Sequence, residues 1–274
     1  MNKEGLILNN INATPGRSDI IGIIGRTGAG KTTLLSVLQN TVRNRTGQVL
    51  LDGRDLQDIP KSVLRHIVGV LPQLPFVFKG WTIRRFLDPR RLFTDEQINE
   101  ALNNCGLLDF VNNLHGGRKL DTIITPKPLS LKTRSGDQSN MESADVDKPL
   151  TEDSLKSDDI MLSISQLRTL WFAKLMLYRH IYRMLIIDEP PSDNISEDGS
   201  EVQDMGVPIY ELLDKYFKHC TCFVTAHYST VLKSCTSVWV MHHGRLIKTF
   251  RASEVFKNES ISNVIEEIVT KYSN

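Results

Sequence analysis

Residues 19–39 read DIIGIIGRTGAGKTTLLSVLQ, and the order of residue types in that span decides the fold. Asp19 to Ile24 is a short apolar run of the kind that forms a buried strand. Gly25-Arg26-Thr27-Gly28-Ala29-Gly30-Lys31-Thr32 follows, and from Lys31 through Thr33 to Gln39 the chain reads as a helix. The spacing GxxxxGK[ST] between a strand and a helix is what a backbone needs to wrap phosphate. The glycines let successive N–H groups turn inward, and the helix start adds partial positive charge. Lys31 is the cation expected at the β- and γ-phosphates, and the Thr32 hydroxyl is the expected magnesium ligand. The expected ligands are therefore ATP and Mg2+.

Working outward, Met184-Leu185-Ile186-Ile187 ends in Asp188-Glu189. An apolar strand that delivers two carboxylates suits phosphoryl transfer, which depends on positioning and charge neutralisation. Asp188 is expected to hold magnesium and Glu189 to polarise the attacking water. Taken alone the pair is weak evidence, because strands often end in Asp for turn reasons.

Other apolar runs, GLILNN, QVLLDG, HIVGVLP, TCFVTAH and SVWVMHHGRLIKTF, alternate with helical stretches. Such alternation implies an α/β fold with a mainly parallel sheet and a β-rich edge. Residues 81–178 read as a helical subdomain inserted into that sheet, with a capping box at Thr94 and Gln97. Within it, residues 126–159 have no aromatic residue and are rich in Ser, Asp and Pro. A segment so poor in apolar surface is expected to be disordered. The organisation is thus a core in two parts, 1–80 and 179–250, the 81–178 subdomain between them, and a helical tail at 251–274.

Composition narrows the partners. With 33 Lys+Arg against 32 Asp+Glu and a net charge of +1, a nucleic-acid surface is not expected as the main business of the chain. The four cysteines form no CxxC pair, so neither zinc nor disulfides are expected. No run approaches the 18 or so apolar residues of a membrane span, and the chain is expected to be soluble when expressed alone.

Four further features carry a family resemblance. Gln73 in VLPQLPFVF, His227 in VTAHYS, and Leu162-Ser163-Ile164-Ser165-Gln166 before QLRTLWFAKLMLYRH stand in the order found in ABC-transporter nucleotide-binding domains. Phe78-Lys79-Gly80-Trp81-Thr82-Ile83-Arg84-Arg85-Phe86-Leu87-Asp88-Pro89 resembles a segment of the second nucleotide-binding domain of multidrug-resistance-associated, C-type exporters. The resemblance implies a P-loop ATPase in which Gln73 senses magnesium and His227 touches the γ-phosphate. It implies that Ser163 and Gln166 face the γ-phosphate of an opposing domain in a head-to-tail dimer. It implies transmembrane partners at the cytoplasmic face of a membrane, exporting an organic anion or thiol conjugate.

Three departures set further expectations. Ile164 and Ser165 replace two glycines of the LSGGQ signature, where backbone approaches phosphate closely. Pro191 to Ile195 replaces the usual D-loop, and no aromatic residue precedes Lys31 to stack on adenine, as if the chain began after that strand. A soluble, non-transport ABC ATPase and a domain that binds ATP without hydrolysing it are the alternatives.

Overall fold

The computed structural model describes residues 7–114, 116–126, 159–188, 209–225, 232, 235–252 and 261–272. In chain order the strands are β1 (Ile20–Ile24), β2 (Leu50–Leu51), β3 (Arg54–Asp55), β4 (Val68–Leu71), β5 (Ile123–Pro126), β6 (Asp159–Leu162), β7 (Met184–Ile187), β8 (Thr221–Thr225), β9 (Ser237–His242) and β10 (Arg245–Arg251). The helices are α1 (Lys31–Leu38), α2 (Lys61–Ile67), α3 (Ile83–Leu87), α4 (Asp95–Asn104), α5 (Leu108–Asn112), α6 (Ile164–Leu177), α7 (Ile209–Tyr216) and α8 (Ile261–Tyr272).

Six strands form the main sheet in the order β10-β9-β1-β8-β7-β4. All neighbours pair in parallel except β10, which folds back antiparallel on β9. Burial explains the composition of each strand. β1 and β7 are buried at every position, as continuous apolar runs require when both faces of a parallel sheet are covered. β4 lies at one edge and alternates in burial, and β10, the other edge, is mostly exposed or half-buried.

Because side chains alternate across a strand, β1 feeds two cores. Ile21 and Ile23 join Leu34, Leu35 and Leu38 of α1 with Phe223 and Trp239. Ile20 and Ile24 face the opposite layer with Leu170, Phe172 and Met176 of α6, Leu213 of α7 and Val264 of α8. The architecture is therefore α/β, a mainly parallel sheet with helices on both faces, and α3, α4 and α6 pack together beyond it. The four cysteines are free thiols in this buried interior.

Two features differ from the sequence expectation. Residues 7–10 of the GLILNN run form no strand; they cross the β9–β10 turn, where the Asn9 N–H donates to the Gly244 carbonyl at 2.8 Å. The inserted region is not purely helical either. β5 and β6 pair in parallel, Ile123 opposite Asp159 and Pro126 opposite Leu162, so both boundary residues of the polar insertion belong to strands. Its interior, 127–158, lies outside the described residues.

Candidate nucleotide-binding site

The loop from Gly25 to Lys31 joins the end of β1 to the start of α1. Two glycines are obligatory there for different reasons. A Cβ on Gly25 would stand 2.4 Å from the Met241 carbonyl oxygen of β9, a collision between backbone and side chain that cannot relax. Gly30, the N-cap of α1, has φ 98°, a left-handed conformation that costs an ordinary residue free energy. Gly28 is also left-handed, at φ 81°. Ala29 is buried, its N–H donates to the Arg26 carbonyl at 3.0 Å, and its own carbonyl accepts from the Gly244 N–H at 3.0 Å. The β9–β10 turn thus braces the loop from behind.

Within the loop, Lys31 Nζ donates to the Gly25 carbonyl at 2.7 Å and to the Arg26 carbonyl at 3.3 Å. This holds the ammonium against the concave backbone. Arg26, Thr27 and Gly28 are exposed, as is Thr32 in the first turn of α1, and Thr33 is half-buried beside it. Arg26 reaches Glu266 of α8 at 3.1 Å. Partial burial, with His243 and Arg26 nearby, pulls the pKa of His242 below the usual imidazole value.

Strand register brings the other groups to the same edge. Thr225, the last residue of β8, pairs with Ile23, and Val224 pairs with Ile187. Asp188 follows β7 directly and is 9% exposed, and its Oδ1 accepts from the Thr225 hydroxyl at 3.0 Å. Its N–H donates to the Leu71 carbonyl at 2.9 Å, locking it beside the end of β4, two residues before Gln73. Gln73 itself is exposed. The carboxyl ends of β1, β8, β7 and β4 thus lie along one edge of the sheet, the edge at which open parallel sheets bind ligands. A loop of left-handed glycines, an ammonium, a hydroxyl and a nearly buried carboxylate suit a magnesium-bound polyphosphate, since magnesium prefers hard oxygen donors. Glu189 and His227 lie outside the described residues.

Ser163 and Gln166 stand together at the start of α6. The Ser163 hydroxyl accepts from the Gln166 N–H at 3.1 Å, and Gln166 Oε1 accepts from the Ser163 N–H at 3.0 Å, a complete capping box. Ile164 is 46% exposed in that first turn. Farther along α6, Arg168 donates to the Asp188 carbonyl at 3.0 Å and Trp171 Nε1 donates to the Val70 carbonyl at 2.9 Å. The signature helix is thereby tied to β4 and β7. Beyond Gln73, Leu74, Phe76 and Phe78 are more than half exposed, with Phe76 packed edge-on against Trp171 at 5.2 Å.

Sequence reasoning passed over Thr225 and Arg168. A hydroxyl closing the apolar run TCFVT, two residues before His227, was the available signal for the first. Nothing local marked the second.

Comparison with known proteins identifies the family. The family model described as "ABC transporter" matches residues 8–192. ABC transporter C family member 14 of Dictyostelium discoideum is 30% identical over 259 residues, which cover 94% of this chain and 16% of that protein. ATP-binding cassette sub-family C member 2 of Rattus norvegicus is 26% identical over 253 residues, 92% of this chain and 14% of that protein. Bile pigment transporter 1 of Saccharomyces cerevisiae is 30% identical over 229 residues, 83% of this chain and 13% of that protein. The chain spans 16% or less of the length of these relatives. No helix among the described residues is long and apolar enough to cross a membrane. With the family model matched over residues 8–192 and C-family relatives covering most of its length, the chain belongs to the ABC transporter family, as a nucleotide-binding domain of the C-family kind.

Proposed function

We propose that this chain binds Mg-ATP in the Gly25 to Thr33 loop and hydrolyses it when a second such domain closes over the pocket, driving export through membrane-spanning partners. The convergence of loop, Asp188 and Thr225 at the carboxyl edge of the sheet carries the reading. Lys31 is assigned to the β- and γ-phosphates, and the N–H groups of Gly28, Gly30, Lys31, Thr32 and Thr33 are assigned to the same phosphates, with the buried Ala29 closing the loop behind them. Thr32, Gln73 and Asp188 form the oxygen donor set for magnesium, which when bound neutralises charge on phosphate oxygens. Glu189, next to Asp188 in the chain, takes the role of orienting water and receiving its proton. His227, two residues beyond Thr225, takes the role of donor to the γ-phosphate.

The partner domain is placed head-to-tail, so that Ser163 and Gln166 serve its pocket and its own signature serves this one. The apolar surface of Leu74, Phe76 and Phe78 beside Gln73 is assigned to the membrane-spanning partner, which holds the chain at the cytoplasmic face. A bile pigment transporter among the relatives supports an organic anion or thiol conjugate as the exported class.

Ile164, 46% exposed where the signature glycine would stand, favours an asymmetric pair. Its side chain obstructs the approach of backbone N–H groups to a γ-phosphate, and losing one such donor costs about 2.7–4 kcal/mol in the barrier. Two copies of this chain should therefore turn over slowly. ATPase activity is to be measured for the chain alone, for Ile164→Gly/Ser165→Gly, and for the chain mixed with a first domain carrying intact LSGGQ. The expected order puts the chain alone last, with Glu189→Gln abolishing activity in the fastest mixture. Equal rates in all three would end the asymmetric reading. Lys31→Ala should weaken binding of a labelled ATP analogue about ten- to hundredfold, the worth of a charge-assisted hydrogen bond, and unchanged affinity would remove the central assignment.

A further inference from the structure

At the opposite end of the sheet, before the amino ends of β1, β4, β7 and β8, lies an open groove of about 730 Å³. Arg17, Ser18, Ile67, His180, Ile181, Tyr182, Arg183 and His219 line it. The chain as a whole balances 33 basic against 32 acidic residues, yet this lining carries two guanidinium groups, two imidazoles and no carboxylate. The walls are fixed by backbone bonds. The Arg183 N–H donates to the Ile67 carbonyl at 2.8 Å, the Thr221 N–H to the Arg183 carbonyl at 3.2 Å, and the Cys222 N–H to the Asp19 carbonyl at 2.8 Å. The Thr221 hydroxyl fastens the loop that carries Arg17, donating to the Gly16 and Arg17 carbonyls at 3.0 and 3.1 Å. These bonds fix the backbone of the floor and set the positions from which its side chains enter the groove.

Those side chains are arranged for an anion attached to an apolar body. Arg17 makes no ion pair among the described residues, and Arg183 meets only Asp52, at 3.8 Å with both side chains about half exposed. A single carboxylate at that distance leaves most of the charge uncompensated. His219 is held by the Arg179 carbonyl, 2.7 Å from its Nε2, and its ring stacks with that of His180 at 6.5 Å. Ile67, Ile181 and the buried Tyr182 supply apolar surface between the charged groups. Guanidinium forks match phosphate oxygens in pairs.

We infer that this groove is a second anion site, distinct from the Gly25 to Thr33 loop, that takes a small soluble phosphate ester between Arg17 and Arg183. Its occupancy does not depend on hydrolysis at the other end of the sheet.

Pyrophosphate is the probe, titrated calorimetrically into the full chain. The expectation is two sites in the unaltered protein, of which Lys31→Ala removes one and Arg17→Gln/Arg183→Gln weakens the other about tenfold or more. Asp52→Asn, which frees Arg183 from its competing carboxylate, should tighten that second site about threefold. ATP-analogue affinity should stay unchanged in the arginine double variant and in Asp52→Asn, which separates a lost site from a damaged fold. A single pyrophosphate site that Lys31→Ala abolishes would overturn the inference, as would a second site indifferent to both arginines and to Asp52. Retention on phosphoinositide vesicles without any second pyrophosphate site would assign the groove to a membrane surface instead and sink the soluble-ligand reading.

Discussion

Asp188 shows how one carboxylate is held in place while almost wholly enclosed. Its Oδ1 takes the Thr225 hydroxyl, its N–H is bound by Leu71 and its carbonyl by Arg168. Thr225→Val keeps the shape of the side chain and removes that donor, so a nearly buried oxygen loses a partner at a cost of about 1–3 kcal/mol. The urea midpoint should fall accordingly, and ATP-analogue affinity in magnesium should fall more than affinity measured with chelator. No change in either would show that the bond is incidental. The contrast in legibility is physical. Lys31 and Asp188 stood out in the sequence because their chemistry is written in adjacent residues, strand then loop then helix, or strand then carboxylate. Thr225 did not, because its partner lies 37 positions away and only the parallel register of β7 and β8 brings the two together.

At the level of elements, the capping boxes were readable and the short strands were not. Thr94 with Gln97 and Ser163 with Gln166 both form the reciprocal bonds that their spacing implies. Ser163→Ala should lower stability by about 1 kcal/mol, read as a shift in the urea midpoint. A larger loss would mean that Ser163 anchors more than its helix. The β2–β3 hairpin turns on Asp52 and Gly53, both left-handed at φ 51° and 82°, an Asp-Gly pair suited to such a turn but read from the sequence only as the end of the QVLLDG strand. β5 and β6 gave none, being four residues each and separated by a polar segment. Between these elements Arg84 of α3 binds both Asp95 of α4 and Asp121, and this holds the Asp95 carboxyl below its ordinary value. A carboxyl depressed in the folded state stabilises above its unfolded pKa and loses that contribution as pH falls through its folded one. Wild type should therefore melt above Asp95→Asn at neutral pH, and the gap should close as pH falls below the ordinary Asp value and through the depressed one. A gap that persists in acid would show that the effect does not come from the charge of the carboxylate and would end the ion-pair reading.

For the molecule as a whole, α/β class, sheet direction and the inserted helices were legible because burial on both faces leaves continuous apolar runs. Strand order was not, since it depends on which distant runs become neighbours. Replacing residues 127–158 tests how β5 and β6 depend on what joins them. The strands run parallel, so a replacement must travel back along four residues, roughly 10 Å, and across to the neighbouring strand, about 4.8 Å. A Gly/Ser linker of about eight residues should leave melting temperature and nucleotide binding nearly unchanged, whereas a two-residue linker should lower the melting temperature by several degrees. Equal melting of both would show that the β5–β6 pair contributes nothing. The sheet order β10-β9-β1-β8-β7-β4 has a sharper consequence at that joint. Everything before it contributes β1 and β4, which never touch, and everything after it contributes two pairs, β10–β9 and β8–β7, held apart by the width of β1. Severed between 127 and 158, the chain becomes two pieces that interlock like fingers. Neither holds the six-stranded sheet, Lys31 travels with one and Asp188 with the other, and nucleotide binding would report their reunion as a split protein.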